Sequence, residues 1–282
     1  VKLILEETVA KQKSSAKGSV ERRVADFYIA AMDSLRIESL GFDPIKSDLK
    51  KVQDIQSRED LLREIARFKT QGLGSPFFGS YVSQDRKNVK KMVPQFGQGG
   101  TSLPDRDYYL KTDARTLKIQ EAFKKYIATL FELIGTPTNQ AKSNAEQIFL
   151  IEKRLATAQM ARVEMRDPYK TYNKFLLADF QKQTPNINWN EQFKLLGIPS
   201  QDSILVSAPK FLVEVNNTLT DTPIENLKSY LTWNILKGSA SYLSSPFVKA
   251  SFDYAKFLSG QETQTPRWQR MSTLTDGTIG EL

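Results

Sequence analysis

The densest group of residues that could do acid–base chemistry lies between positions 103 and 110. Two carboxylates, Asp105 and Asp107, flank Arg106, and Tyr108 follows them. Paired carboxylates can divide the acid and base roles of a reaction when their surroundings separate their pKa values. A guanidinium between them instead favours the charged form of both acids and suppresses proton exchange near neutral pH. We therefore expect these residues to form a structural turn that ion pairs or backbone hydrogen bonds hold in place.

Two other segments have residue types that resemble functional motifs. Arg166 and Asp167, followed by Pro168, form a second charged turn, and nothing in it requires catalysis. The stretch 97–100 is rich in glycine but lacks the Lys-Ser/Thr ending of a phosphate-binding loop, and it opens no clear strand-to-helix turn. We interpret this stretch as an ordinary loop.

The chain contains no histidine and no cysteine. Zinc sites in proteins are built mainly from these two residue types, with carboxylates as further ligands. Nucleophilic catalysis by Ser-His-Asp or Cys-His groups also requires histidine. The composition therefore predicts no metal site, no disulfide and no such nucleophile in the chain. Only carboxylate, lysine or tyrosine chemistry remains.

The formal net charge of +8 raises the question of an anionic partner. Basic residues are spread along the chain with acids between them, whereas nucleic-acid binders concentrate positive charge on one face. The densest cluster comprises Arg86, Lys87, Lys90 and Lys91; Asp85 stands beside it, and it contains no aromatic residue. We favour a solvated basic surface and predict no nucleic-acid partner. The alternative is a stand-alone basic helical module that binds nucleic acid or acidic partners.

No membrane segment is expected. The longest apolar runs, such as 148–151, are far shorter than the roughly 20 residues that a spanning helix needs. The first residues run directly into Glu6 and Glu7 without the pattern of a signal peptide. With 40% hydrophobic and 26% charged residues, the composition is that of an ordinary globular protein.

Hydrophobic spacing predicts that helices dominate the chain. Over 112–135 apolar residues recur every three or four positions, and Gly135 and Pro137 end the pattern. The segment 138–160 is predicted to be its antiparallel partner. Further helices are expected over 19–39, from Ser57 to Gly72, from Thr222 onward, and from Ser245 to Gly260. In the last helix the residues expected to face inward are Phe247, Tyr254, Phe257 and Leu258.

Two short aromatic segments, 77–82 and 91–96, lack helical spacing and are bounded by turn residues. We predict that they pair as a hairpin around 85–88, with Pro94 placing the second strand at a sheet edge. A further short strand is expected over 204–207. The predicted fold class is mainly α: a multi-helix domain with a small β-hairpin, covering 1–282 as a single helical domain.

Several motifs resemble one protein family. The segment 99–109, Gly-Gly-Thr-Ser-Leu-Pro-Asp-Arg-Asp-Tyr-Tyr, resembles a motif of the neprilysin and endothelin-converting-enzyme family of zinc metallopeptidases. Thr101-Ser102 departs from the Gly-Leu that is usual there. Four further matches follow in the family's order, at 163–174, 208–212, 227–233 and 266–270. Each is modest alone, but five in order across nearly the whole chain are specific, and the lack of cysteine resembles a bacterial member.

The resemblance implies where the catalytic residues should be. The family's His-Glu-x-x-His helix, its downstream glutamate and its Asn-Ala-aromatic segment match no position in 1–282. We therefore predict no catalytic or metal residue here and expect a catalytic zinc domain beyond Leu282. The residues that the motifs mark as structural are Asp105, Arg106, Asp107, Tyr108, Arg166, Asp167, Arg267 and Trp268.

The function implied by the resemblance is that of a non-catalytic helical cover domain in a zinc-dependent endopeptidase. Such a domain would enclose the active-site cavity and restrict substrates to short peptides. Zinc would be the cofactor of the parent enzyme, and the partner of this chain would be its own C-terminal catalytic domain. By analogy with the family, the location would be extracytoplasmic, in the periplasm or cell envelope of a bacterium.

Overall fold

The computed structural model describes residues 2–280. The chain forms two compact units, Ile45–Ser239 and Val1–Pro44 with Ala240–Leu282. We call them the central unit and the terminal unit. Helices dominate both, which confirms the predicted fold class. No helix within residues 2–280 combines the length and the apolar character that crossing a bilayer demands.

The α-helices, in chain order, are α1 (Lys2–Ala10), α2 (Val20–Met32), α3 (Ser34–Leu40), α4 (Lys46–Gln53), α5 (Arg58–Thr70), α6 (Asp107–Leu110), α7 (Ala114–Leu133), α8 (Thr138–Ala158), α9 (Arg162–Met165), α10 (Leu177–Gln183), α11 (Trp189–Leu195), α12 (Pro209–Asp221), α13 (Ile224–Ser239), α14 (Ser245–Ser259) and α15 (Arg267–Ile279). The strands are β1 (Phe78–Asp85), β2 (Asn88–Gln98), β3 (Lys174–Leu176) and β4 (Ser203–Val206).

Local signals account for several helix boundaries. The predicted start at Ser57 is a capping box, in which its hydroxyl accepts from the Asp60 N–H at 3.1 Å and the Asp60 carboxylate accepts from the Ser57 N–H at 3.1 Å. The predicted end of α14 is confirmed, because Gly260 adopts a left-handed conformation with φ of 75°. The long pair α7 and α8 also lies where its hydrophobic spacing places it.

Two helix predictions were wrong in detail. The segment 19–39 is not one helix, because Asp33 interrupts it and its carboxylate caps α3 by accepting from the Arg36 N–H at 3.0 Å. Phe257 does not face inward; it is 49% exposed. It precedes Leu258 by one residue, which turns it about 100° around the helix from the stripe that begins at the buried Phe247.

The predicted hairpin is confirmed, and it is half of a larger sheet. β1 pairs antiparallel with β2, β2 pairs parallel with β4, and β4 pairs antiparallel with β3. The strand order is β1-β2-β4-β3. The expected strand at 204–207 is therefore β4, and it joins the hairpin to β3. The interpretation of 97–100 as a loop was only half right, because β2 continues through Gln98.

The prediction that Pro94 lies on an edge strand was wrong, because β2 is interior to the sheet. Pro94 stands opposite Val82 of β1, and β4 pairs with β2 only at Gln95 and Phe96. Neighbouring residues of a strand direct their backbone groups to opposite sides. The Phe96 carbonyl accepts from the Ser207 N–H just after β4, so Pro94, two residues earlier, faces the same side. Pro94 precedes the residues of β2 that pair with β4, so its lack of an N–H costs no hydrogen bond between these two strands.

Aromatic side chains back one face of the sheet. Trp189 of α11 is fully buried, with its ring centroid 4.7 Å from Phe96, 5.7 Å from Phe78 and 5.6 Å from Phe180. Its indole N–H donates to the Thr184 hydroxyl at 2.8 Å, so the one polar group of the buried ring has a partner. This packing fixes the position of the β1–β2 hairpin within the central unit.

The terminal unit is a helical cluster built from both ends of the described chain. Leu5 of α1, Tyr28 of α2 and Met271 of α15 form its buried core. Because these helices come from opposite ends of the sequence, short-range spacing does not predict their association, and it did not single out α1 or α15.

Candidate functional site

The carboxylate of Glu152 on α8 is fully buried in the central unit. It accepts hydrogen bonds from the Ser102 N–H at 2.9 Å and from the Ser102 hydroxyl at 2.7 Å. The Tyr109 hydroxyl donates to it at 2.5 Å and the Trp233 indole N–H at 3.1 Å. Lys237 of α13 completes the group by donating to the Ser102 hydroxyl oxygen at 3.0 Å. We call these five residues the Glu152 cluster.

The Glu152 cluster contains a serine beside a lysine, a pairing that performs nucleophilic catalysis in some hydrolases. Burial lowers the pKa of Lys237, and the nearby Glu152 carboxylate opposes this shift. The hydrogen bonds, however, direct the Ser102 proton to Glu152 and make Lys237 a donor to Ser102. Four donors occupy the two Glu152 oxygens. The cluster therefore acts as a structural anchor that ties segment 101–103 to α8 and α13.

Two tyrosines around this cluster should resist ionisation. Burial raises the pKa of Tyr109 and Tyr230 well above the usual 10.0, and the negative charge of Glu152 adds to both shifts. Because the folded pKa values are raised, the folded state is fully stabilised below pH 10 and loses stability as the pH rises beyond it. The lowered pKa of Lys237 does not offset this loss above its ordinary value of 10.5.

We expect alkaline unfolding to release phenolate absorbance in one cooperative step that coincides with the loss of helical circular dichroism. In Tyr230→Phe, one fewer phenolate should appear in that step, because this side chain ionises only on unfolding. Complete titration of all ten tyrosines while the helical signal is intact would contradict the expectation.

The first predicted turn is tied into the structure as expected. Asp105 forms an ion pair with Arg162 at 2.8 Å and accepts from the Asp107 N–H at 3.0 Å. Arg106 donates to the Gln159 carbonyl. The Lys111 ammonium lies 2.9 Å from Asp107, and this contact lowers the pKa of that carboxyl. The two acids are thus neutralised by different cations, which leaves neither free for proton transfer.

The remaining motif residues lie elsewhere. Tyr108 accepts through its carbonyl from the Gln120 amide at 2.9 Å and lines an open concavity of about 430 Å³ beside Asp105 and Asp107. Asp167 caps its own turn by accepting from the Tyr169 N–H at 2.8 Å, and Arg166 is exposed.

Arg267 and Trp268 belong to the terminal unit. Arg267 donates to the Ala31 carbonyl at 2.6 Å, and the Lys2 ammonium lies 5.2 Å from the Trp268 ring centroid. These contacts join α15 to α2 and α1. The eight motif residues therefore do not gather into one site: six lie in the central unit and two in the terminal unit.

The residues of this chain do not fit a zinc ion. The sequence has no histidine or cysteine, and nowhere in residues 2–280 do three or more metal-ligating side chains converge. Carboxylates such as Asp105, Asp107 and Glu152 are committed to cations or hydrogen-bond donors of the chain itself. No metal-dependent step can be assigned to these residues.

A second polar cluster lies at the end of the hairpin. Asp85 accepts from the Lys174 ammonium and the Tyr172 hydroxyl, each at 2.8 Å, and from the Lys87 N–H at 2.9 Å. The bond from Lys174, followed by that from Lys87, holds the pKa of Asp85 far below its usual range. The Lys87 ammonium lies 4.4 Å from the Tyr172 ring centroid. The basic cluster therefore has an aromatic partner, which comes from a distant segment that local sequence inspection missed.

The exposed face of the sheet forms a concavity of about 460 Å³. Its floor is the backbone of two paired glycines, Gly79 and Gly97. Around them stand Arg86 and several neutral polar groups: the Tyr81 hydroxyl donates to the Gln95 amide oxygen at 3.3 Å, and the Gln95 amide nitrogen donates to the Ser83 hydroxyl oxygen at 2.5 Å. Side chains of alternate residues on neighbouring strands lie side by side on one face, and pairing of β1 with β2 brings this set together.

Comparison with known proteins places these features in a family. A model of peptidase family M13 matches residues 1–282. Endothelin-converting enzyme 1 of Bos taurus is 29% identical over 296 residues, which cover 99% of this chain and 38% of that protein. Endothelin-converting enzyme-like 1 of Rattus norvegicus is 28% identical over 278 residues, covering 92% of this chain and 35% of that protein. The chain thus spans well under half the length of these relatives.

Solved structures share the fold. Zinc metalloprotease Zmp1 of Mycobacterium tuberculosis superposes with a TM-score of 0.91 at 24% identity, covering 99% of this chain and 43% of that one. PepO of Lactobacillus rhamnosis superposes with a TM-score of 0.81 at 18% identity, covering 98% and 44%. The similarity of fold agrees with the match over the full sequence, which confirms the resemblance that the motifs indicated: the chain belongs to peptidase family M13.

Proposed function

We propose that this chain is a non-catalytic helical domain of a zinc-dependent endopeptidase, and that it encloses the active-site cavity and limits the size of the peptides admitted. One observation carries the proposal. The M13 model matches every residue from 1 to 282, yet the chain has no histidine or cysteine with which to build a catalytic zinc site. Zinc and the bond-breaking residues would then belong to a C-terminal catalytic domain, the partner of this chain.

The residues of the chain support a scaffolding role. The Glu152 cluster buries a charge whose lone pairs are taken by four donors from other segments, and Asp85 is held in the same way by Lys174 and Tyr172. Such networks hold loops rigidly against helices. The motif residues Asp105, Arg106, Asp107 and Tyr108 would serve the same purpose.

The alternative, a basic module for nucleic acid or acidic partners, gains no support from the comparisons, all of which lead to peptidases. Many basic side chains are also engaged within the structure, as Lys174 is with Asp85 and Arg154 with Asp221. We propose 1–282 as one functional domain of the enzyme.

The proposal predicts strong discrimination by size in the intact enzyme. Short peptides can enter an enclosed space in extended form and bind through their backbone. A folded protein would have to unfold first, which costs about 5–15 kcal/mol. We expect chelator-sensitive cleavage of a short unstructured peptide, and cleavage of the same sequence within a stable folded domain to be more than about a hundredfold slower.

The control is the same protein after denaturation, which should be cleaved once it can enter as an extended chain. Equal rates for the native protein and the peptide would show that the domain does not restrict access. Cleavage that a chelator leaves unchanged would show that the activity does not depend on zinc and would contradict the proposed function.

A further inference from the structure

We propose that the outer edge of β1, together with the cationic end of the hairpin, binds an extended acidic peptide segment. The outer edge is centred on Val82, whose backbone groups point away from β2, and the cationic end is formed by Lys90 and Lys91. The inference rests on the proposed function, because the bound segment would be the part of a peptide substrate remote from the bond that is cleaved. It assigns a preference for acidic substrates to a chain that lacks catalytic residues.

The first observation is a free strand edge. β1 is the terminal strand of the sheet that residues 2–280 form. Val82 faces Pro94, which has no N–H, and the Phe78 N–H donates to the Pro76 carbonyl and not to β2. Both facts place Phe78, Ser80 and Val82 in the set whose backbone groups point away from β2. Ser80 is buried, and the Gln84 carbonyl accepts from the Gln95 side-chain amide at 3.3 Å, so Val82 provides the accessible part of the edge. Val82 is 45% exposed, so an added strand can reach its N–H and carbonyl.

The second observation is a receptacle for side chains next to that edge. The concavity of about 460 Å³ lies on the sheet face above Gly79 and Gly97. A Cβ atom added to Gly79 would meet nothing within 4 Å, so the space above this residue is open. A strand added beside β1 would direct alternate side chains onto this face. The one opposite Gly79 would enter the open space, while Tyr81, 57% exposed, would pack against its neighbour.

The third observation is uncompensated positive charge at one end of the edge. The register runs from the pair Gln84–Met92 directly to Asp85–Asn88, so residues 89–91 bulge out of β2 and are exposed. The described part of the chain brings no carboxylate to Lys90 or Lys91. The nearest acid in sequence, Asp85, is buried and paired with Lys174. A carboxylate on a ligand would therefore meet two free ammonium groups.

Together these features favour a peptide over other anionic partners. A strand edge offers backbone hydrogen bonds that only an extended polypeptide can match. Tyr172, the aromatic ring that Arg86 and Lys87 contact, is covered by Lys87 and hydrogen-bonded to Asp85, so it is not free to stack on a base.

The test measures binding separately from cleavage. Two fluorescent peptides, one ending in Glu-Glu and one in Gln-Gln, are titrated with the intact zinc-stripped protein and followed by anisotropy. Lys90→Glu with Lys91→Glu should weaken binding of the Glu-Glu peptide about tenfold and change the Gln-Gln peptide less than about twofold. The matched control, Lys118→Glu with Lys194→Glu, makes the same change of charge at two exposed lysines elsewhere in the central unit.

The backbone contacts are tested without altering the protein. N-methylation of single peptide bonds in the Glu-Glu ligand should weaken binding about fivefold at the position opposite Val82 and leave the positions on either side unaffected, since neighbouring N–H groups of an added strand face opposite sides. The proposal would be overturned if both double lysine substitutions weakened binding of the Glu-Glu peptide equally. It would also be overturned if N-methylation had the same effect at every position of the peptide.

A parallel assay with the zinc-loaded enzyme compares cleavage of the two peptides. The Glu-Glu peptide should have the higher kcat/KM through a lower KM, and Lys90→Glu with Lys91→Glu should remove the difference. If neither peptide is cleaved in a chelator-sensitive way, the proposed function fails, while the anisotropy experiment still decides whether the β1 edge binds acidic peptides.

Discussion

Replacement of Glu152 by alanine is expected to lower the free energy of unfolding of the central unit by about 3–5 kcal/mol. The carboxylate is fully buried and accepts hydrogen bonds from Ser102, Tyr109 and Trp233. Its removal leaves those donors without their acceptor and leaves Lys237, already penalised by burial, without the carboxylate that favours its charge. Each unsatisfied buried donor costs about 1–3 kcal/mol, and the losses are not additive.

Urea denaturation of the chain, followed by far-ultraviolet circular dichroism, measures this effect. Glu152→Gln keeps the shape and one acceptor oxygen, so its loss should be smaller than that of Glu152→Ala. The control is Glu132→Ala on the exposed surface of α7, which should change stability by no more than about 0.5 kcal/mol. A similar small change for Glu152→Ala would mean that the buried network does not hold segment 101–103.

Replacement of Trp189 by alanine is expected to destabilise the central unit by a similar amount, about 3–5 kcal/mol. This ring contacts Phe78, Phe96 and Phe180 and has no exposed surface, so its loss opens a cavity directly behind the sheet. The Thr184 hydroxyl also loses the indole N–H that donates to it. Because Phe78 and Phe96 belong to the hairpin strands, the variant should loosen β1 and β2 first.

Hydrogen exchange resolves this effect by segment, and urea denaturation gives its total. Trp189→Phe retains an aromatic ring and should recover more than half of the lost stability. Trp268→Ala is the matched control in the terminal unit, and it should leave exchange in the hairpin unchanged. Unaltered protection of residues 78–98 in Trp189→Ala would show that the aromatic packing does not position the sheet.

Much of the secondary structure follows from the sequence alone, because its signals are local. The capping box at Ser57, the left-handed Gly260 and the spacing of apolar residues in α7 and α8 act within one or a few helical turns. The hairpin followed in the same way from two aromatic segments and a turn. The lack of histidine and cysteine predicts that no catalytic zinc site can be built from these residues, whatever their arrangement.

Tertiary structure alone decided which residues meet. Glu152 bonds to partners 43, 50 and 81 positions away, and Asp85 to partners 87 and 89 positions away. Pro94 became interior to the sheet because β4, from a distant segment, pairs with β2 just beyond it. That the outer edge of β1 stays free likewise depends on where β3 and β4 dock. Helical and strand periodicity describes which face of an element is buried, but the choice among possible partners depends on packing and charge across the whole unit.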